Sequence, residues 1–134
     1  MKYYLDMGID GFRLDAVKYF YMDNTVKNCE VLDYYYHYAQ SINPDVYIVG
    51  ECWDDGLITK YYEYTDVDSF FYFPMCGTNG GISRSLNLNG VLQEVYLSGL
   101  KECVADAGNN VPAPFLDNHD MSRMAKKDPI TSKM

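Results

Sequence analysis

Gly11-Phe12-Arg13-Leu14-Asp15-Ala16-Val17-Lys18 is the stretch whose reading decides the fold. At a period of two, Phe12, Leu14 and Ala16 point one way and Arg13, Asp15 and Val17 the other. A strand over Phe12 to Ala16 therefore carries a cation and a carboxylate on one face. A buried arginine beside an aspartate favours the ionised carboxylate. α/β enzymes place such a carboxylate at the C-terminal end of a strand for chemistry. A structural ion pair has the same pattern, so the surroundings have to decide.

Upstream, Met1 to Met7 reads as the last turns of an amphipathic helix closed by Gly8 as a C′ glycine. A chain that opens on the end of a helix leads one to expect more sequence before it. Downstream, Asp23 or Asn24 is a fair N-cap for a helical run to Ile42, with apolar positions at Val26, Val31, Tyr35 and Tyr38. Asn43-Pro44-Asp45 is a turn. Val46 to Gly50 is a β-branched, apolar run with the composition of a strand buried on both faces, and it delivers Glu51-Cys52-Trp53. Gly56 to Tyr64 reads as a short helix. Ser69 to Phe73 reads as a third strand closed by Pro74. Residues 77–90 read as a Gly/Asn/Ser loop, and Val91 to Val104 as the clearest amphipathic helix, stopped by Asp106 to Asn110. Pro114 to Asp117 reads as a fourth strand delivering Asn118-His119-Asp120, and Lys126 to Met134 as a polar, frayed tail.

Strands alternating with helices predict a parallel sheet with right-handed crossovers. Three of the four strands hand over a polar group at their C-terminal ends: Asp15, Glu51, and His119 with Asp120. In a doubly wound sheet or a barrel, ligands bind at that edge.

Composition narrows the classes. At 134 residues, 48% hydrophobic and 22% charged, the chain is long and apolar enough to build a core. Its net charge is −8, and its 11 basic residues form no run, which argues against nucleic acid and anionic membrane surfaces as partners. No stretch has the roughly 18 apolar residues of a membrane-spanning helix, and the first residues lack a signal peptide's apolar core. Cys29, Cys52, Cys76 and Cys103 lie more than twenty residues apart, without metal-site spacing, and read as small buried residues with thiols favoured over bridges. The compartment is left open.

Carboxylates gathered on one rim suggest glycoside chemistry, in which one carboxylate is nucleophile and another carboxyl is acid and then base. The residues also match a known family. Gly11 to Ala16, Gly50-Glu51-Cys52-Trp53 and Phe115-Leu116-Asp117-Asn118-His119-Asp120 resemble three characteristic regions of the α-amylase family of glycoside hydrolases, in the family's order and at compatible spacing. Asp68-Ser69-Phe70 to Pro74 also resembles the family's strand-six segment.

The resemblance implies a partial (β/α)₈ TIM barrel, strands four to seven, as part of a single catalytic domain. It implies Asp15 as nucleophile, with Arg13 holding it ionised and oriented. Glu51 would be the acid/base, in surroundings that raise its pKa, and Asp120 the transition-state stabiliser. His119 would bind the same sugar, Lys18 would line an acceptor subsite, and Trp53 would stack on a sugar face. The implied partner is an α-glucan such as starch, maltodextrin or a related oligosaccharide. No cofactor is expected within these residues, although calcium is plausible in a complete parent.

There are departures. Tyr19 stands where many relatives carry a histidine whose backbone helps hold calcium. The family's Asp…Asn-His motif on an earlier strand is absent, as are counterparts of the remaining barrel strands, the calcium-binding insertion and the C-terminal β-domain. A full barrel takes about 250 residues, so an internal fragment with little or no activity of its own is expected. A glucan transferase or a sucrose- or trehalose-acting relative would share this machinery. A non-catalytic sugar-binding remnant or a metal-dependent barrel fits the carboxylates less well.

Overall fold

A computed structural model describes residues 1–22, 24–54, 56–87 and 92–123. Four parallel strands, β1 (Gly11–Leu14), β2 (Tyr47–Gly50), β3 (Ser69–Tyr72) and β4 (Ala113–Pro114), form one sheet in the order β1-β2-β3-β4. Strand order follows chain order without reversal, which is the winding of a barrel and not of a doubly wound sheet. The helices are α1 (Lys2–Asp6), α2 (Thr25–Gln40), α3 (Ile58–Tyr64), α4 (Gly81–Asn87) and α5 (Leu92–Ala107). α2, α3, and α4 with α5 lie in the three crossovers. The chain is thus an arc of a (β/α)₈ TIM barrel.

Local chemistry explains most boundaries. α1 stops as expected: its C-cap is Met7, and Gly8 takes φ +90°, a conformation that suits glycine. Asn24 caps α2, its side chain accepting from the Lys27 N–H at 3.0 Å; Asp23, the other candidate, lies outside the described residues, as do Val91 and the tail from Lys126. Gly108, at φ +61°, follows α5. α3 begins at Ile58, two residues after Gly56.

The sheet sorts side chains by register. The pairing Arg13↔Val49↔Ser69 puts these three on one face, and Leu14↔Gly50↔Phe70 puts those on the other. The latter is the helix-covered face. There Ile48, Phe70 and Tyr72 meet Leu32, Tyr61, Cys103 and Ala107 in the core, with Phe12 and Leu14 packed against it.

Several expectations need correcting. The first strand ends at Leu14, because Ala16 sits in the left-handed region (φ 47°, ψ 45°) and breaks the alternation; Val17 is consequently fully buried and not on the face of Arg13 and Asp15. Arg13 itself is exposed, on the sheet face opposite the helices. α2 buries Asn28, Cys29, Leu32, Tyr36 and Ala39, while Val26, Tyr35 and Tyr38 are exposed. β2 carries an exposed Tyr47, so it is not buried on both faces. β3 stops at Tyr72, and Phe73–Met75 forms a 3-10 turn around Pro74. Residues 81–87, read as loop, are helical. β4 has two residues and ends at Pro114, where the expected strand began.

Candidate active site

Apart from Arg13, which lies within β1, the candidate residues follow the C-terminal ends of strands. Asp15 is the first residue after β1, and Glu51 the first after β2. Between these two the ladder continues beyond the strands: the Glu51 N–H donates to Leu14 O at 2.8 Å and the Val17 N–H to Glu51 O at 3.0 Å. Backbone pairing therefore sets the two acidic positions side by side before any side chain contributes.

Arg13 then joins them. Its Nη1 lies 2.5 Å from Asp15 Oδ1 and its Nη2 2.8 Å from Glu51 Oε1. The second contact is an ion pair off the N–H direction, since Oε1 receives no aligned hydrogen bond. The other carboxylate oxygen of Glu51 accepts from the Ala16 N–H at 3.3 Å. The side chain of Glu51 is only 7% exposed against 71% for Asp15. The two carboxylates are thus differentiated: one is held in the protein, and the other is presented to solvent.

Lys18, in the 3-10 turn Val17–Tyr19, reaches across to the loop after β2. Its Nζ donates to Trp53 O at 2.7 Å and faces Asp54 Oδ2 at 3.5 Å. Partial burial pulls the ammonium's pKa down, but Tyr19 and Asp54 outweigh it, and the group lies above the ordinary lysine value. The Trp53 indole is 48% exposed and stacks on Phe73, with centroids 4.7 Å apart and planes 12° from parallel. Phe73 meets Phe115 edge-on at 5.1 Å, and Phe115 meets Phe71 at 5.3 Å, an aromatic chain running towards β4.

His119 and Asp120 lie five and six residues beyond β4. His119 Nε2 is 3.2 Å from Asp120 Oδ2, and the Asp120 N–H donates to Asn118 Oδ1 at 3.0 Å. Both side chains are exposed. Their contacts run to each other and to Asn118, on the same edge of the sheet as Asp15 and Glu51. Arg123 pairs with Asp117 at 2.7 Å, and the Gly77 N–H donates to Leu116 O at 2.8 Å, which ties this segment to the loop after β3.

The structure thus groups Arg13, Asp15, Glu51, Lys18 and Trp53, with His119 and Asp120 as a separate pair on the same rim. Sequence reading missed the supporting set: the Ala16 N–H, Asp54, and Phe73 beneath Trp53. Phe73 could have been found from the aromatic density of Phe70 to Phe73, whereas a donating backbone N–H leaves no trace in a sequence.

At the other end of the strands, Asp33, His37 and Asp66 bring ligand atoms within 4.8 Å of one another and could hold an ion. They already join α2 to the loop before β3: the Asp66 N–H donates to Asp33 Oδ1 at 2.8 Å, and His37 Nε2 lies 3.0 Å from Asp66 Oδ2. No described helix is long and apolar enough to cross a membrane.

Comparison with known proteins bears on the family and the fold. The family model described as the catalytic domain of alpha amylase matches residues 1–128. Alpha-amylase 3 of Dictyoglomus thermophilum is 36% identical over 126 residues, 92% of this chain and 24% of that protein. Among solved structures, Eubacterium rectale Amy13B superposes with a TM-score of 0.80 at 31% identity, over 92% of this chain and 25% of the other. The alpha-amylase from H. orenii superposes with a TM-score of 0.71 at 29% identity, over 96% and 27%. The chain spans about a quarter of the length of these relatives. Four parallel strands in barrel order, carboxylates after the first two and a family match along nearly the whole chain lead to one statement: the chain belongs to the α-amylase catalytic-domain family of glycoside hydrolases.

Proposed function

We propose that residues 1–134 form strands four to seven of a single catalytic barrel that further strands complete, and that the assembled site is a retaining hydrolase of α-glucans such as starch, maltodextrins and related oligosaccharides. The observation that carries this reading is Arg13, which touches Asp15 and Glu51 at once. A shared guanidinium keeps two carboxyl groups as near neighbours, which suits the about 5–5.5 Å of a retaining pair.

In this reading exposed Asp15 attacks the anomeric carbon and forms the glycosyl-enzyme bond, while Glu51 delivers a proton to the departing glycosidic oxygen. Glu51 then takes a proton from the incoming water, whose oxygen displaces Asp15. Asp120 and His119 bind the hydroxyls of the reacting sugar and favour the oxocarbenium-like transition state. Lys18 lines the acceptor side. The free face of Trp53, backed by Phe73, takes the apolar C–H face of a pyranose. The reading asks for no cofactor from these residues; a calcium ion in the complete protein would draw its ligands mostly from elsewhere.

The test is reducing-end release from maltoheptaose by the full-length protein that carries this chain, with Asp15→Asn and Glu51→Gln. Both variants are expected to abolish turnover, and retained activity in either refutes its assigned role. Transfer in place of hydrolysis would show as longer glucans without a matching rise in reducing ends. The 134 residues alone are expected to show little or no turnover, and measurable starch hydrolysis by them would sink that expectation.

A further inference from the structure

We propose that Asn28 is a positioning residue of the candidate site: it sets the loop after β1 so that Lys18 pins the main chain at Trp53, and with it the indole platform. The inference rests on the α-glucan reading only for its kinetic arm.

Asn28 lies in the second turn of α2 and is 2% exposed. A buried carboxamide is costly unless its donors and acceptor are met. Here they are met by the loop that carries Lys18. The Tyr21 N–H donates to Asn28 Oδ1 at 2.7 Å, and Nδ2 donates to Lys18 O at 2.8 Å and to Tyr61 Oη at 3.1 Å. Asn28 therefore grips residues 18 and 21 at both ends of one turn. Tyr61 is itself fully buried, with its ring edge-on to Phe70 at 5.6 Å, so the grip is anchored to the core.

From the same turn Lys18 crosses to the Trp53 carbonyl at 2.7 Å, and the indole rests on Phe73. Every step from Asn28 to the platform is a contact below 3 Å or a ring stack. Arg13, on β1 and outside that loop, holds both catalytic candidates, with the Ala16 N–H as a second, longer contact to Glu51. Losing the Asn28 grip should therefore move the platform and leave the carboxylates in place. Asn28→Asp keeps the acceptor for Tyr21 but turns the donor facing Lys18 O into a second acceptor.

Trp53 is the chain's single tryptophan, so its emission reports this loop directly. In the full-length protein, with emission separated from that of any tryptophan outside residues 1–134 by a Trp53→Phe control, Asn28→Asp and Lys18→Met should each increase acrylamide quenching and shift emission to the red. The double variant should go no further than Lys18→Met. On maltoheptaose, Asn28→Asp should raise KM about tenfold with kcat within about threefold. An Asn28→Asp variant that lowers Tm but leaves quenching and KM at wild-type values would show a purely structural role and overturn the proposal. Additive effects in the double variant, or unchanged quenching in Lys18→Met, would also overturn it. Should Asn28→Asp fail to fold, Tyr61→Phe, which removes one partner of Nδ2, takes its place with the same expectations. A wild-type protein inert on α-glucans defeats the functional reading, and the quenching results still decide this one.

Discussion

The two halves of the rim are built differently. On the β1–β2 side four residue pairs are in register and the ladder runs on through Glu51; contacts that cross between the two sides hold Glu51, Lys18 and Trp53, and Asp15 is held by Arg13, which makes one of them. On the β3–β4 side two pairs are in register, and His119 and Asp120 stand several residues past a two-residue strand, bonded to each other and to Asn118. Strand pairing can preassemble a site only for residues that follow it immediately. Beyond a few residues of loop, geometry has to come from neighbours. One half of the candidate site is therefore encoded in local pairing, whereas the described contacts of His119 and Asp120 lie within their own loop.

Arg13→Met attacks the preassembled half most directly. It leaves two carboxylates adjacent with no shared cation, so kcat/KM of the full-length protein on maltoheptaose should fall about 10²–10³-fold, as for loss of one preorganised electrostatic contact. His119→Gln, on the loosely held half, should cost about tenfold, the worth of one hydrogen bond to substrate. The comparison breaks if the order is reversed.

Gly11→Ala tests whether the ladder itself creates the difference. A Cβ at Gly11 would overlap the main-chain carbonyl oxygen of Tyr47, which cannot swing away as a side chain can. Overpacking against backbone should destabilise by about 3 kcal/mol and displace Asp15 from Glu51, seen as a lower denaturant midpoint together with lost activity. At Gly50 the obstacle is softer: the added carbon would lie 2.5 Å from the Phe70 ring. Gly50→Ala is thus the milder change, and equal effects at the two glycines would argue that the ladder has no special role.

The same division marks what could be read from the amino acids. Four strands in order, with Asp15 and Glu51 at strand ends, follow from alternation, β-branched runs and turn residues, all of which are local signals. The errors fall where tertiary context outweighs them. Val26, Tyr35 and Tyr38 recur as apolar positions at helical spacing, yet they are exposed and α2 buries Asn28, its polarity offset by three hydrogen bonds. Gly81 looked like a loop residue. It opens α4 and lets the helix pack closely on the 3-10 turn after β3, where a Cβ would come 2.6 Å from Met75 Sδ. Pro112 and Pro114 remove two ladder donors, which is reason enough for β4 to be short. Nothing in the alternation of residues 12–17 announces that Ala16 turns left-handed.

The difference between the halves belongs to the rim and not to the core beneath it. Tyr61 and Tyr62 of α3 pack edge-on against Phe70 of β3, and burial pushes both hydroxyls up to about 12. Below pH 10 both rings are neutral folded or unfolded, and their contribution is fully present. Between pH 10 and 12 the unfolded chain ionises while the folded one holds its protons, so stability should fall by about 1.4 kcal/mol per pH unit for each ring. Denaturant midpoints across that range, with tyrosinate absorbance at 295 nm, should show unfolding and ionisation together. Free titration of Tyr61 and Tyr62 near pH 10 in the folded protein would mean that the β3 side is as loose inside as at its rim.

The smallest effect sharpens the comparison most. His119 Nε2 and Asp120 Oδ2 make an exposed side-chain contact, 3.2 Å apart with side chains 67% and 49% accessible, and even fully charged pairs so exposed contribute only about 0–1 kcal/mol. His119→Gln should therefore leave the denaturant midpoint nearly unchanged while affecting turnover. Arg13→Met, by contrast, should lower both, because Glu51 is buried and loses its cation. A residue that matters for turnover but hardly for stability is one whose partner is the substrate, whereas one that matters for both is already engaged in the fold. If His119→Gln destabilises the protein by more than about 1 kcal/mol, the second half-site is also held in advance, by contacts beyond Asn118 and Asp120.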